Sequence, residues 1–267
     1  MIIDAHAHLA RNPLDLDRIV ESGRIGQAWL LDISFYRNLP QVEWATAEEV
    51  LEAARRYPGF FIPFGFLDFT QPPDSVDRLR ERGFVGLKVI RTKRPYDDER
   101  YFSHYERAEK LSMPILFHAG YVSGAKRDQL APGISTNSSP MRPSCLPGIA
   151  AAFPDLKIIG AHLGIPWGEE MFYAIKFCAN VYTDLSGGMN QAKLKWIDQY
   201  LHLGIAEKIL MGIDATYGRE QYHRDILQMV EFWELYFEVA LRHSDVYQYK
   251  EAIFCGNAER LIQSPST

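Results

Sequence analysis

Short apolar runs alternate with amphipathic stretches along the whole chain. The runs predict strands at 2–8, 27–33, 60–66, 84–90, 113–118, 156–162, 180–185 and 208–214. Between them, apolar positions at helical spacing predict helices at 14–22, 46–57, 74–82, 98–111, 142–153, 167–178 and 192–203, with more helix after 220. The strands are rich in Val, Ile, Leu and Phe and do not alternate strictly, as expected of a parallel sheet covered on both faces. Eight strand–helix units in 267 residues predict an α/β fold, a closed (β/α)8 TIM barrel, which takes about 250 residues. An open doubly wound sheet is the alternative, because periodicity does not report closure.

Local signals sharpen the boundaries. Thr46-Ala47-Glu48-Glu49 has the form of a capping box, and Asp74 is placed to cap the helix that follows it. Pro58-Gly59 and Arg82-Gly83 supply stops. No repeat, composition break or linker divides the chain, so 1–267 is expected to form one barrel domain. The longest irregular stretch, 119–147, is rich in Gly, Pro and Ser and follows the fifth strand. Its position suggests a lid or binding loop; a disordered surface excursion is the alternative.

Composition mainly excludes. A formal charge of −5 gives no electrostatic footprint for nucleic acid or an anionic membrane. No apolar run reaches the ~20 residues of a membrane span. Cys145, Cys178 and Cys255 are far apart and odd in number, so no disulfide framework is suggested. Met1 runs into the first strand without a basic region and a long apolar one, so a cytoplasmic protein is expected. There is no Gly-x-Ser-x-Gly elbow, dinucleotide fingerprint or phosphate loop.

The candidate chemistry lies at strand ends. His6 and His8 are two apart on the first strand, which puts both imidazoles on one face. Asp4 shares that face by strict alternation and could hold an imidazole N–H from behind. His118, His162 and Asp214 close the fifth, sixth and eighth predicted strands. In a parallel barrel all these ends meet at one rim, where such folds build their sites. Four imidazoles and a carboxylate suit a divalent ion, zinc above all, with manganese or another first-row metal as alternatives. Bound there, the ion would polarise a carbonyl and lower the pKa of water toward ~7. Asp214 is suited to move a proton from water to a leaving group.

The same segments resemble the amidohydrolase superfamily, and within it the amidohydrolase-related branch that includes aminocarboxymuconate-semialdehyde decarboxylase. The resemblance rests on Ile3-Asp4-Ala5-His6-Ala7-His8, Gly86-Leu87-Lys88, Phe117-His118-Ala119-Gly120, Gly160-Ala161-His162-Leu163-Gly164, Thr183-Asp184-Leu185-Ser186-Gly187, Gly212-Ile213-Asp214 and the closing Gly256-Asn257-Ala258-Glu259-Arg260-Leu261. It implies a distorted barrel with one or two divalent metals. By that likeness His6, His8, His118 and Asp214 would bind the first metal. His162 would bind a second ion or stabilise developing negative charge. Lys88 could bridge a second metal if carboxylated, but a barrel lysine beside a single metal is the preferred reading.

Substrate contacts are less specified. Arg91, Lys93, Arg94, Arg142 and Tyr217, which closely follows Asp214, could meet an acidic group, while Trp167, just beyond His162, could wall the pocket, with packing at a helix start as the alternative. The helix containing Met229–Val239 has a wide apolar face that would pack on the barrel or form a homodimer contact. The expected partner is a small-molecule substrate, with no nucleic acid and no membrane. The leading expectation is a metal-dependent hydrolase cleaving an ester, lactone or amide. A metal-dependent decarboxylase or hydratase, that is a lyase acting on a small carboxylic acid, is the main rival.

Overall fold

The N-terminal apolar run forms β1 (Ile3–Leu9), and each later run adds a strand parallel to its neighbour. These are β2 (Gln27–Leu31), β3 (Phe61–Phe66), β4 (Gly86–Val89), β5 (Ile115–Phe117), β6 (Ile158–Gly160), β7 (Val181–Asp184), β8 (Ile209–Leu210) and β9 (Ala215–Tyr217). The structure is a computed structural model and describes residues 1–36, 43–122, 124–188 and 190–262. The helices are α1 (Leu16–Glu21), α2 (Ala47–Arg56), α3 (Ser75–Arg82), α4 (Phe102–Lys110), α5 (Leu146–Ala152), α6 (Gly168–Phe177), α7 (Asn190–Tyr200), α8 (Glu220–Val239) and α9 (Asn257–Ile262). No described helix is long and apolar enough to cross a membrane.

The sheet order is β8-β7-β6-β5-β4-β3-β2-β1-β9. β8 and β9 are two pieces of the single eighth strand expected from the sequence. Between them Ala5 N–H donates to Met211 O at 2.9 Å and Asp214 N–H donates to His6 O at 2.7 Å. β9 then pairs with β1 from Ala7↔Ala215 onward. β1 is therefore bonded on one side to β2 and on the other to the eighth strand, which closes the barrel. The break falls at Asp214, whose φ of 64° is left-handed, a region asparagine and aspartate tolerate better than most residues.

Two apolar layers follow from the closure. Ile3, Ala5, Trp29, Leu31, Phe64, Leu116, Ile159 and Leu210 fill the lumen, with Ala258 and Leu261 of α9 packed among them. A second, larger cluster lies between strands and helices. Ala7 and Leu9 belong to that outer layer although Ile3 and Ala5 belong to the lumen. The alternation of β1 thus changes phase, and the β1–β2 pairing shows a register irregularity between Asp4 and Ala7. One extra residue in a strand reverses which side chains face inward.

The helix boundaries follow local chemistry. Thr46 and Glu49 form the reciprocal capping box at α2. Gly83 ends α3 at φ 106°. Asp74 does not cap α3; it is helical itself, and its carboxylate accepts from Arg78 Nη1 at 2.6 Å. α8 buries Ile226, Val230, Trp233 and Phe237 at four- and three-residue spacing and leaves Leu235 and Val239 exposed. The stretch 119–147, apart from Ser123, which lies outside the described residues, is pinned across the rim. Ala131 N–H donates to Phe35 O and Ser135 N–H to Arg91 O, while Leu130, Ile134 and Met141 are buried.

α9 anchors the eighth strand. The buried Asn257 amide donates to Ala206 O at 2.9 Å and to Ile209 O at 2.7 Å. Asn257→Ala removes both hydrogen bonds, leaving Ala206 O with the Ile209 N–H, and should cost about 1–3 kcal/mol in urea unfolding. A loss below ~0.5 kcal/mol would remove this anchor from the account of closure.

Candidate metal centre

Strand ends place the site. His6 and His8 project from β1 past its change of phase, and Asp214 stands at the break in the eighth strand. His8 Nε2 lies 3.1 Å from Asp214 Oδ1, and His6 Nε2 lies 3.4 Å from the same oxygen. His8 Nδ1 is 3.0 Å from Leu31 O, and its ring meets the Trp44 indole edge-on at 5.4 Å. Lys88 Nζ is 3.3 Å from His6 Nε2.

Behind the rings sits Asp184, at the end of β7. Its Oδ2 is 2.9 Å from His6 Nδ1, and its Oδ1 accepts the backbone N–H of His162 at 2.9 Å and of Ser186 at 3.0 Å. The Ser186 hydroxyl also reaches Asp184, and its oxygen lies 3.0 Å from His6 Nδ1 and 2.8 Å from His162 Nδ1. His162 Nε2 in turn is 3.2 Å from His118 Nδ1. Among the described residues, two sets present donor atoms all within 4.8 Å of one another: His6, His8 and Asp214, and His6, His162 and Asp184. His118 belongs to neither set and joins the centre through His162.

The electrostatics favour neutral imidazoles around ionised carboxylates. Burial, reinforced by the Lys88 ammonium, pushes His6 down to about 3. Burial also holds His118 well below the usual imidazole range, with His162 and Lys88 acting in the same direction. Burial would raise Asp184, but His6 and His162 more than reverse it and hold the carboxyl low. Desolvation would likewise raise Asp214, yet His6, His8 and His162 keep it well below the ordinary carboxylate range. Lys88 is brought down to about 8 by burial, with Asp214 and Asp184 opposing the shift.

This set fits a divalent metal. Ligand atoms that each lie about 2.0–2.2 Å from one ion are separated by about 3.0–3.5 Å, which the distances of His6 and His8 from Asp214 Oδ1 match. Metal ligation requires neutral imidazole and ionised carboxylate, the states that these surroundings favour. Among the described residues His118 Nε2 is buried without a hydrogen-bond partner, a cost that coordination would remove.

Other expected positions differ. Asp4 does not back an imidazole: the change of phase in β1 turns it outward, where it accepts from His6 N–H, Ile213 N–H and Tyr217 OH. Tyr217 is correspondingly buried in the outer layer, with its hydroxyl committed to Asp4 and not presented to a substrate. Arg142 is paired with Glu170 and lies over Trp167 at 4.9 Å, so these two residues complete each other. Arg91 is buried, donates from Nε to Tyr36 OH at 2.7 Å, and lines a cavity of about 230 Å³ with Lys93, Arg94 and Arg100. Asp184 and Ser186 escaped the sequence reading as site residues, although Asp184 obeys the same strand-end rule as His118 and His162.

Asp184 orients His6 through its far nitrogen, the place where a carboxylate typically steadies a metal-bound imidazole. Asp184→Asn should weaken zinc or manganese affinity about 10–100-fold in chelator competition. Affinity equal to that of the unsubstituted protein would show that His6 is held without it.

The amidohydrolase family model matches residues 3–263. No curated protein matches the chain. Among solved structures, 2,6-dihydroxybenzoate decarboxylase from Rhizobium superposes with a TM-score of 0.64 at 16% identity, covering 98% of each chain. A probable 2-pyrone-4,6-dicarboxylic acid hydrolase from Acinetobacter baumannii, solved with citric acid bound, gives 0.63 at 13% identity, again covering 98% of each. The 5-carboxyvanillate decarboxylase from Novosphingobium aromaticivorans, solved with manganese and a nitrobenzoic acid, gives 0.61 at 16% identity, covering 92% of this chain and 78% of that one. At these identities the likeness shows the fold. The match to the family model spans nearly the whole chain, and the protein belongs to the amidohydrolase family.

Proposed function

We propose that the protein is a metal-dependent hydrolase that cleaves an ester, lactone or amide bond of a small molecule at the barrel mouth. The observation that carries this reading is the convergence of His6 Nε2 and His8 Nε2 on one oxygen of Asp214. His6, His8, His118 and Asp214 would hold one divalent ion, with zinc favoured by the nitrogen-rich set and manganese the alternative. The ion would supply Lewis acidity toward the scissile carbonyl and toward water. Lys88, an ammonium beside His6 Nε2, supports a single-metal centre.

The chain's own groups do the rest. Asp214 is ionised and its side chain is 31% exposed, so it can accept a proton from attacking water and return it to the leaving group. The His162 ring, held from behind by Ser186, faces the same space and can steady negative charge that develops on the substrate. Arg91, which follows β4 and donates to Tyr36 OH, would meet an acidic substituent of the substrate.

Decarboxylation is the second reading, favoured by the likeness to two decarboxylases. The discriminating experiment loads the protein with zinc or manganese and assays small lactones and esters beside hydroxylated benzoic acids. Ring opening or acid release supports hydrolysis; carbon dioxide release selects the lyase; neither, with metal bound, counts against both. Asp214→Asn should lower turnover by about 10²–10⁴-fold under either reading. Unchanged turnover in that variant would exclude Asp214 as the proton carrier.

A further inference from the structure

Lys193 is the buried cation that the chemistry above leaves unused. It lies on α7, is 1% exposed, and ranks among the largest fully buried side chains. Lysine is almost never so enclosed without a partner. A methionine of similar length would fill the same space without desolvating a charge. Burial draws the ammonium down to about 8, while Asp184 and Asp214 act to keep it charged.

Its contacts are specific. Nζ donates to Leu185 O at 3.1 Å and to Gly187 O, straddling Ser186. Ser186 lies against both His6 and His162, as described above. Gly187 N–H donates to Ile213 O at 3.2 Å, one residue before Asp214. Gly187 is left-handed at φ 80°, and a Cβ there would sit 2.8 Å from His162 Nδ1 and 3.4 Å from Asp214 Oδ2. Residues 185–187 therefore touch three strand ends of the centre at once, and Lys193 is bonded to both ends of that tripeptide.

We propose that Lys193 is a positioning residue of the metal centre, whose ammonium clamps residues 185–187 so that Ser186 and Gly187 fix the rings of His6 and His162 and the seat of Asp214. The proposal rests on the metal-centre reading for its functional consequence, but its geometric content can be tested without metal. In the metal-free protein, Lys193→Met and Lys193→Gln are compared by the ¹⁵N resonances of the histidine rings. The expected result is displaced His6 and His162 resonances in Lys193→Met, an unchanged resonance for the distant His104, and partial recovery in Lys193→Gln. Unmoved His6 and His162 resonances in a folded variant overturn the proposal. Should Lys193→Met fail to fold, Lys193→Gln decides by the same criterion.

Chelator competition then reads the consequence. Lys193→Met should bind zinc at least ~10-fold more weakly. Asn180→Ala, which loses two buried hydrogen bonds to Phe153 O and Leu156 O at the start of β7, should bind zinc as the unsubstituted protein does. Equal losses in both variants would make Lys193 a purely structural residue and overturn the proposal. If the unsubstituted protein takes up no metal, the metal-centre reading fails while the ring resonances still judge the clamp.

Discussion

One backbone hydrogen bond does two tasks that the rest of the molecule relies on. Asp214 N–H donates to His6 O, joining the last strand to the first at the point where the last strand breaks. The bond helps close the barrel. It also fixes the spacing between a histidine and a carboxylate that are 208 residues apart in sequence, since their side chains leave the backbone on either side of it. Any slip in closure would be felt directly as a change in the His6–Asp214 separation. The anchoring of α9 by Asn257 beneath β8 serves the same spacing from below.

Around that seam the protein keeps an unusual electrostatic balance. Asp184 and Asp214 face Lys88 and Lys193, and the imidazoles of His6, His118 and His162, pushed toward the neutral form by burial, stand among them. Burying ions is costly, and a hydrogen-bonded arrangement must satisfy them before it stabilises anything. Asp184 meets that demand by accepting from His162 N–H and Ser186 N–H while Ser186 OH and the His6 ring share its oxygens. The centre is therefore held by its own hydrogen bonds before any ligand arrives, and dipoles fixed in advance contribute most to charge stabilisation.

Much of this was legible in the sequence because both the barrel and its rim obey periodic rules. The apolar runs marked the strands, and a ligand-type residue at the end of a run marked the mouth. His6, His8 and Asp214 come together for that reason. Asp4 fails because strict alternation is only a local rule: the irregularity between Asp4 and Ala7 reverses the face, and no residue type announces it. For Arg142 and Tyr217 the sequence does not reveal the partners that engage them, Glu170 and Asp4, which are contributed by distant segments. Lys193 was silent in the sequence, since a lysine on a predicted helix reads as solvated until tertiary packing encloses it.

The rim also carries backbone conformations that its residues adopt at a cost. Arg91, His162, Leu163 and Asp214 all have positive φ, and none is glycine. Such residues sit roughly 1–2 kcal/mol above their relaxed state. Selection for heat resistance alone would relieve them one by one, and each relief would remove or re-aim a side chain at the mouth. The barrel thus holds part of its free energy as shape, and the margin available for hardening this protein lies in its lower half and outer helices, away from the rim.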